Sequence, residues 1–338
     1  MPLSPSTNIT EYGDVSPRVG IFAAVQMLKH AQPIIILEKF AQVRPMPQNK
    51  GQTIKFRRPV PFAVATTPLT EGVTPASQKL SYEDVTASLA QYGSWCELTD
   101  VIADTHEDPV LNDMSMLCGE QAAETKEMLN WGIVSAGTNV IYSNGAARTD
   151  VNTAISLDKI RLAVRTLRAQ RAKPLTKIQD GSVKVGTRPI EAGYIAFGHT
   201  DMEADLRSLT GFTPIAEYGS RQPLCEYESG SVENIRFILS PLYTPVEDGG
   251  GTAATNNMIS TGGTDSDVYQ TVIMGQEAWG TVPLKGKEAV KPMVLNPNTP
   301  RGGDPLGQRG SVGWKTWHVA KVLNQSWMLR IEHGASAL

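Results

Sequence analysis

From Arg57 to Val85 the chain reads RRPVPFAVATTPLTEGVTPASQKLSYEDV, with four prolines, four threonines and no lasting periodicity of helix or strand. Proline fixes φ and withholds a backbone N–H, so this tract can be neither a helix interior nor a central strand. The segments on either side do alternate. QTIKFRR (52–58) places Ile54 and Phe56 on one face and Lys55 and Arg57 on the other. EDVTASLAQYGSWCELTD (83–100) alternates Val85, Ala87 and Leu89 with Thr86 and Ser88. Together they predict one long hairpin over 51–100, with a returning strand of about 14 residues that would reach roughly 45 Å. A structureless tip this long is uncommon in a compact domain unless it is functional or disordered. Nothing in the hairpin's own sequence supplies a second layer, so such a chain needs a partner to finish it.

The remaining chain has the makings of a core. RVGIFAAVQMLKH (18–30) predicts a short helix inside an otherwise extended arm, 1–50. Asp108 as N-cap and Pro109 at the first helical position open a helix over 108–136. Its apolar positions are Leu111, Met114, Leu117, Cys118, Ala122, Thr125, Leu129 and Ile133, and Gly137 is its stop. A second helix over 156–173 buries Leu157, Ile160, Val164 and Leu167 and is basic elsewhere. From 190 onward strands and helices mix: YIAF (194–197), NIRFILSP and DVYQTVIMG read as strands. The glycine-rich 246–267 reads as a mobile surface loop, as does 296–311. WHVAKVL and WMLRIEH around NQS read as a terminal hairpin. The fold class expected is α+β.

Chemistry does not announce itself. At 41% hydrophobic and 19% charged residues the chain is globular, and a net charge of -3 argues against a dedicated nucleic-acid binder. Its three cysteines lack C-x-x-C spacing and read as free thiols of a reducing compartment. The N-terminus carries no signal-peptide pattern, and the longest apolar run, PIIIL at 33–37, is far too short to span a bilayer. GHTDMEADL (198–206) gathers His199, Asp201, Glu203 and Asp205, which could hold a metal. Thr200 with Glu203 as a capping box, and Asp201 in the first turn, explains them more simply. DSD (265–267) could offer oxygen ligands but lacks the EF-hand spacing. No catalytic, cofactor-binding or metal site is expected.

Three blocks taken together resemble the major capsid proteins of tailed bacteriophages, most closely an N4-like podovirus coat-protein family. They are TPLTEGVTPASQKLSYEDVTASLAQYGSWCELTD, GEQAAETKEMLNWGIVSAGTNVIYSNG and IRLAVRTLRAQRAKP. VIMGQEAWGTVPL and GWKTWHVAKVLNQSWMLRIEHGA extend the likeness nearly to the end. The resemblance implies the tailed-phage (HK-type) capsid fold. Its parts would be an N-terminal arm (1–50), an extended hairpin (51–100), a peripheral domain with a spine helix (101–189), an axial domain (190–290) and a return to the peripheral domain (291–338). It implies hexamers and pentamers closing an icosahedral head shell around double-stranded DNA, in a virion assembled in the bacterial cytoplasm. Implied partners are further copies of the chain, a portal protein, a separate scaffolding protein (the chain starts almost directly at the arm), a decoration protein, and weak non-specific contact with DNA. No membrane is involved.

Within that frame Lys55, Arg57, Arg58, Glu71, Glu83 and Asp84 are the expected inter-subunit contacts, pairing charges between neighbours. Two other readings fit less of the chain. A nanocompartment shell would enclose protein cargo, and a metal-dependent enzyme would use the acids near His199.

Overall fold

The computed structural model describes residues 34–47, 49, 51–105, 110–180, 186–219, 221–284, 291–295, 297, 300 and 302–338. The arm helix expected over 18–30 and the Asp108–Pro109 helix start lie outside these residues.

After a 3-10 turn at Leu37–Phe40 and strand β1 (Gln42–Val43), the hairpin rises as β2 (Thr53–Pro59) and returns as β3 (Tyr82–Ser88). The expected long strand breaks at Leu89 and continues as β4 (Ala90–Thr99), which pairs elsewhere. Helices α1 (Asp100–Thr105) and α2 (Val110–Val134) follow, then β5 (Val140–Tyr142), helix α3 (Leu157–Ala169), β6 (Leu175–Asp180) and β7 (Gly186–Gly198). Helix α4 (Glu203–Ser208) leads to β8 (Thr213–Pro214), β9 (Glu228–Val232), β10 (Ile235–Leu239), β11 (Tyr269–Met274) and β12 (Trp279–Thr281). The chain closes with β13 (Lys291–Leu295), β14 (Arg309–His318), β15 (Ala320–Val322) and β16 (Met328–His333).

The largest sheet runs β5-β16-β11-β7-β10-β9-β8, with β6 paired to β7. Both of its faces are buried. Tyr194, Ala196, Phe237, Ile273 and Leu329 join the cluster that includes α3. Ile195, Phe197, Ile238, Val272 and Met328 join the opposite cluster, with Trp131, Tyr243 and Trp279. Burial on both sides is why YIAF and NIRFILSP read as continuous apolar runs. Helix α3 buries Ile160, Val164 and Leu167 as its spacing predicts. The sheet also draws β5, β6 and β16 from the spans flanking 190–290, so one of its edges is built from distant parts of the chain.

A smaller sheet, β13-β14-β4, carries α2, where Cys118 and Ala122 meet Val312 and Trp314. The buried face of α2 differs from the expected stripe. Leu117 is 58% exposed, whereas Lys126, Glu127 and Asn130 are buried. The last two strands also depart from expectation. They do not form a hairpin: β15 pairs with β12, and β16 lies between β11 and β5. Met328, Leu329 and Ile331 are apolar toward both faces, and a two-stranded hairpin would leave one face bare.

The 246–267 loop is not the loose excursion its glycines suggest. Asp267, only 2% exposed, accepts hydrogen bonds from Asp248 N (2.8 Å), Thr261 N (3.2 Å) and Thr261 Oγ (2.8 Å). Asp248 in turn accepts from Gly262 N at 2.8 Å. Gly250 sits so close to the body that an added Cβ would lie 2.2 Å from the Val151 carbonyl. Short polar side chains cap the loop's backbone from within.

Candidate assembly surface

The hairpin pairs Thr53 with Ser88 through Pro59 with Tyr82, which sets Arg57 opposite Asp84 and Arg58 opposite Glu83. Arg57 makes a two-pronged contact with Asp84, Nε to Oδ1 at 2.8 Å and Nη2 to Oδ2 at 3.1 Å. Its cation also lies 5.4 Å from the Tyr82 ring centroid. Arg58 pairs with Glu83 through one contact, Nη2 to Oε2. The hydrogen bond from Arg57 above all holds the Asp84 carboxyl below its ordinary range, with a smaller contribution from the charge of Lys55. Four of the six expected contact residues are therefore paired within the hairpin itself. Directly opposed opposite charges stabilise a two-stranded ladder, and here they fix its register.

The base of the hairpin is covered by its own chain, contrary to the expectation of no intrachain cover. Phe56, Ala87 and Leu89 are buried against Met46 and Val282, with Trp317 and Leu323 beside them. A cleft of about 670 Å³ remains between this base and the body, lined by Arg44, Arg58, Arg171, Lys173 and Trp327 among others.

Beyond Pro59 the cover ends. Every residue from 59 to 84 is exposed. Half of the large exposed apolar side chains among the described residues lie here: Val60, Phe62, Val64, Leu69, Val73, Leu80 and Tyr82. Glu71 stands at the apex, where Val73 N donates to Thr70 O at 3.1 Å and Gly72 has φ +78°. That is a type II turn, whose third position calls for glycine. Contiguous exposed apolar surface of this kind marks an interaction site. A second exposed apolar area lies on the face of β13-β14-β4 away from α2. There Trp95 (63% exposed) and Met293 border a shallow groove of about 770 Å³ floored by Gly93 and Gly313.

At the other end of α2, a buried carboxylate holds the root of the N-terminal segment. Glu127 accepts hydrogen bonds from Ile36 N (3.2 Å), Leu37 N (3.0 Å) and Tyr243 Oη (2.8 Å). Burial pushes its carboxyl up to about 7, against the opposing effect of those hydrogen bonds. Lys126 pairs with Glu38 at 2.7 Å. His318 lies 3.8 Å from Glu38, and burial pushes its imidazole down to about 4, so it is neutral there at pH 7. Sequence periodicity missed this latch because its partners lie about ninety residues apart.

The acids near His199 are otherwise engaged. His199 Nδ1 accepts from Asp201 N at 3.2 Å, so His199, not Thr200, caps the turn. Asp201 accepts from Tyr269 Oη (2.7 Å), Asp205 from Ser336 N (3.0 Å), and Glu203 pairs with Arg207. Among the described residues no group of three or more His, Cys, Asp or Glu could hold a metal ion. Among the described residues, too, no helix is long and apolar enough to cross a membrane. On the exposed side of α3, Arg161 pairs with Glu233 at 2.8 Å.

A spine helix on a small sheet, a two-faced sheet beside it and a hairpin projecting beyond its own cover define the tailed-phage capsid fold. The capsid of Ralstonia phage GP4 superposes with a TM-score of 0.66 at 13% identity, covering 98% of this chain and 99% of that one. The cyanophage Pam1 capsid gives 0.60 at 12% identity, covering 99% of each chain. The head structure of Helicobacter pylori bacteriophage KHP40 gives 0.60 at 13%, covering 99% and 98%. Over residues 82–331 the sequence matches the phage capsid protein family, and the chain belongs to that family. No curated protein matches it in sequence. It is a major capsid protein, a structural subunit of a phage head shell.

Proposed function

We propose that the chain assembles into hexamers and pentamers that close an icosahedral shell around double-stranded DNA in the host cytoplasm. The exposed apolar tip at 60–81 carries this reading, because it leaves on the subunit a surface that water disfavours. The tip lies across a neighbour in the same capsomer and reaches toward the next, with Lys55 and Glu71 as its charges for register. Rings of this kind are heterologous contacts that close by rotation. The division into arm (1–50), hairpin (51–100), peripheral domain (101–189 with 291–338) and axial domain (190–290) belongs to the same proposal.

Shell closure around DNA calls for a scaffolding protein and a portal protein, and the outer surface leaves room for a decoration protein. DNA itself touches the inner face weakly, through phosphates, from Arg165 and Arg168 on α3. Such contact is sequence-independent and fades with salt. Negative-stain microscopy of the purified chain tests the proposal, with rings or closed shells expected. A monodisperse monomer at high concentration would count against it.

A further inference from the structure

Cys96 and Cys118 stand apart from everything the shell reading uses. Cys96 lies on β4, an edge strand of the small sheet, and is exposed, whereas Cys118 lies on α2 and is buried. Their sulfurs are 4.0 Å apart. Side-chain rotation need close only about 2 Å to reach a disulfide bond length. Cys96 is in register with Val312 on β14, and Val312 packs against Cys118, so both thiols are held by rigid elements that already touch.

We infer that Cys96 and Cys118 are a reversible covalent staple between the edge strand β4 and the spine helix α2, open in a reducing cytoplasm and closed by a small-molecule disulfide outside it. The chemistry is ordinary exchange. The Cys96 thiolate attacks one sulfur of the small disulfide, forming a mixed disulfide and releasing one thiolate. Cys118 then gives up its proton to solvent and attacks the Cys96 sulfur, expelling the second small thiol. Two protein thiols are oxidised and one small disulfide is reduced to two thiols. The order follows from access. Burial pushes the Cys118 thiol up to about 12, so it is seldom the first attacker but stands in contact with the mixed disulfide once that forms. The closed loop would enclose α1 and the start of α2, removing freedom from the unfolded chain.

The test uses the full-length protein purified under reducing conditions and then exposed to oxidised glutathione. Thiol titration in denaturant should fall from three groups to one, leaving Cys225. No lysine or arginine lies between Cys96 and Cys118, so trypsin leaves both on one peptide. Cleavage before aspartate (Asp100, Asp104, Asp108, Asp113) separates them and should yield one disulfide-linked peptide pair. The thermal midpoint of the oxidised protein should rise by about 5 °C. Cys96→Ser, at an exposed position, should fold normally and show no such rise. A titre that stays at three, a stable glutathione adduct on Cys96 alone, or Cys96-linked dimers on a non-reducing gel would each overturn the inference.

Discussion

The tip at 60–81 and the loop at 246–267 are both long and both lie outside the sheets, yet they are built in opposite ways. The tip holds itself with little besides the Val60–Ser81 and Thr70–Val73 backbone bonds and one bond from Gln78 Nε2 to Ala63 O. The loop has a buried carboxylate, Asp267, receiving three donors, and a glycine wedged against Val151. Composition explains the difference. Aspartate, serine and threonine satisfy nearby backbone groups, and glycine admits close approach. Proline lacks a donor, and valine and leucine offer apolar surface with nothing local to bury it. The loop is completed by its own chain; the tip is left for another.

Replacing 60–81 with a short Gly-Ser turn is the harshest test of that contrast. Circular dichroism and the thermal midpoint should barely change, while closed shells visible by microscopy should be lost. If shells of normal size persist, the tip is only a decorated loop. Asp267→Ala should do the reverse, leaving three part-buried donors without their acceptor at a cost of about 3 kcal/mol, or roughly 4 °C in the midpoint. Shells should still form at temperatures where the variant is folded.

The arm root extends the comparison to a segment held by one carboxylate. Because burial pushes the Glu127 carboxyl up from its ordinary value near 4.5 to about 7, the folded state binds more protons between those values. Its contribution to stability is therefore fully present below the lower value and is lost as pH rises through about 7, a change of about 3 kcal/mol. Glu127→Gln should lack this loss. The midpoint of the wild type relative to the variant should fall between pH 5 and pH 8, and a constant difference would refute the assignment. Paired glycine variants give a finer measure. Gly250→Ala forces a backbone clash and should lower the midpoint by about 3 °C. Gly72→Ala meets no atom within 4 Å and should cost only the strain of its positive φ. The smallest effect is expected at Arg57→Ala, where an exposed ion pair is lost and the midpoint should move by about 1 °C or less.

How much of this was legible varied with the range of the interactions. The hairpin and its open tip were readable because proline and alternation act locally. Helix α3 was readable because its stripe faces one sheet. The existence of α2 was clear, but its buried face was not. Lys126 and Glu127 are buried because Glu38, Ile36, Leu37 and Tyr243 meet them, and no local window contains those partners. The false terminal hairpin has the same origin, since β15 and β16 alternate well enough to pair but find better burial in other sheets. Of the candidate contacts, Arg57 and Arg58 stand opposite Asp84 and Glu83 on the hairpin. Their pairing with each other was hidden by the unknown length of the tip, which sets the ladder's register.

The break at Leu89 has a mechanical meaning. Gln52 staples it from both sides, accepting from Leu89 N (2.9 Å) and donating Nε2 to Leu89 O (2.7 Å), so β3 and β4 meet at a fixed joint. Tension on the tip is carried along the backbone into β4, whose full length from Ala90 to Thr99 is laddered to β14. Antiparallel ladder bonds lie across the strand direction. A pull along β4 loads them together, in shear, instead of peeling them one after another. Internal pressure that stretches the hairpin would thus meet the cooperative strength of a whole ladder, and the shell's yield point would be set by that ladder and not by its most exposed bond.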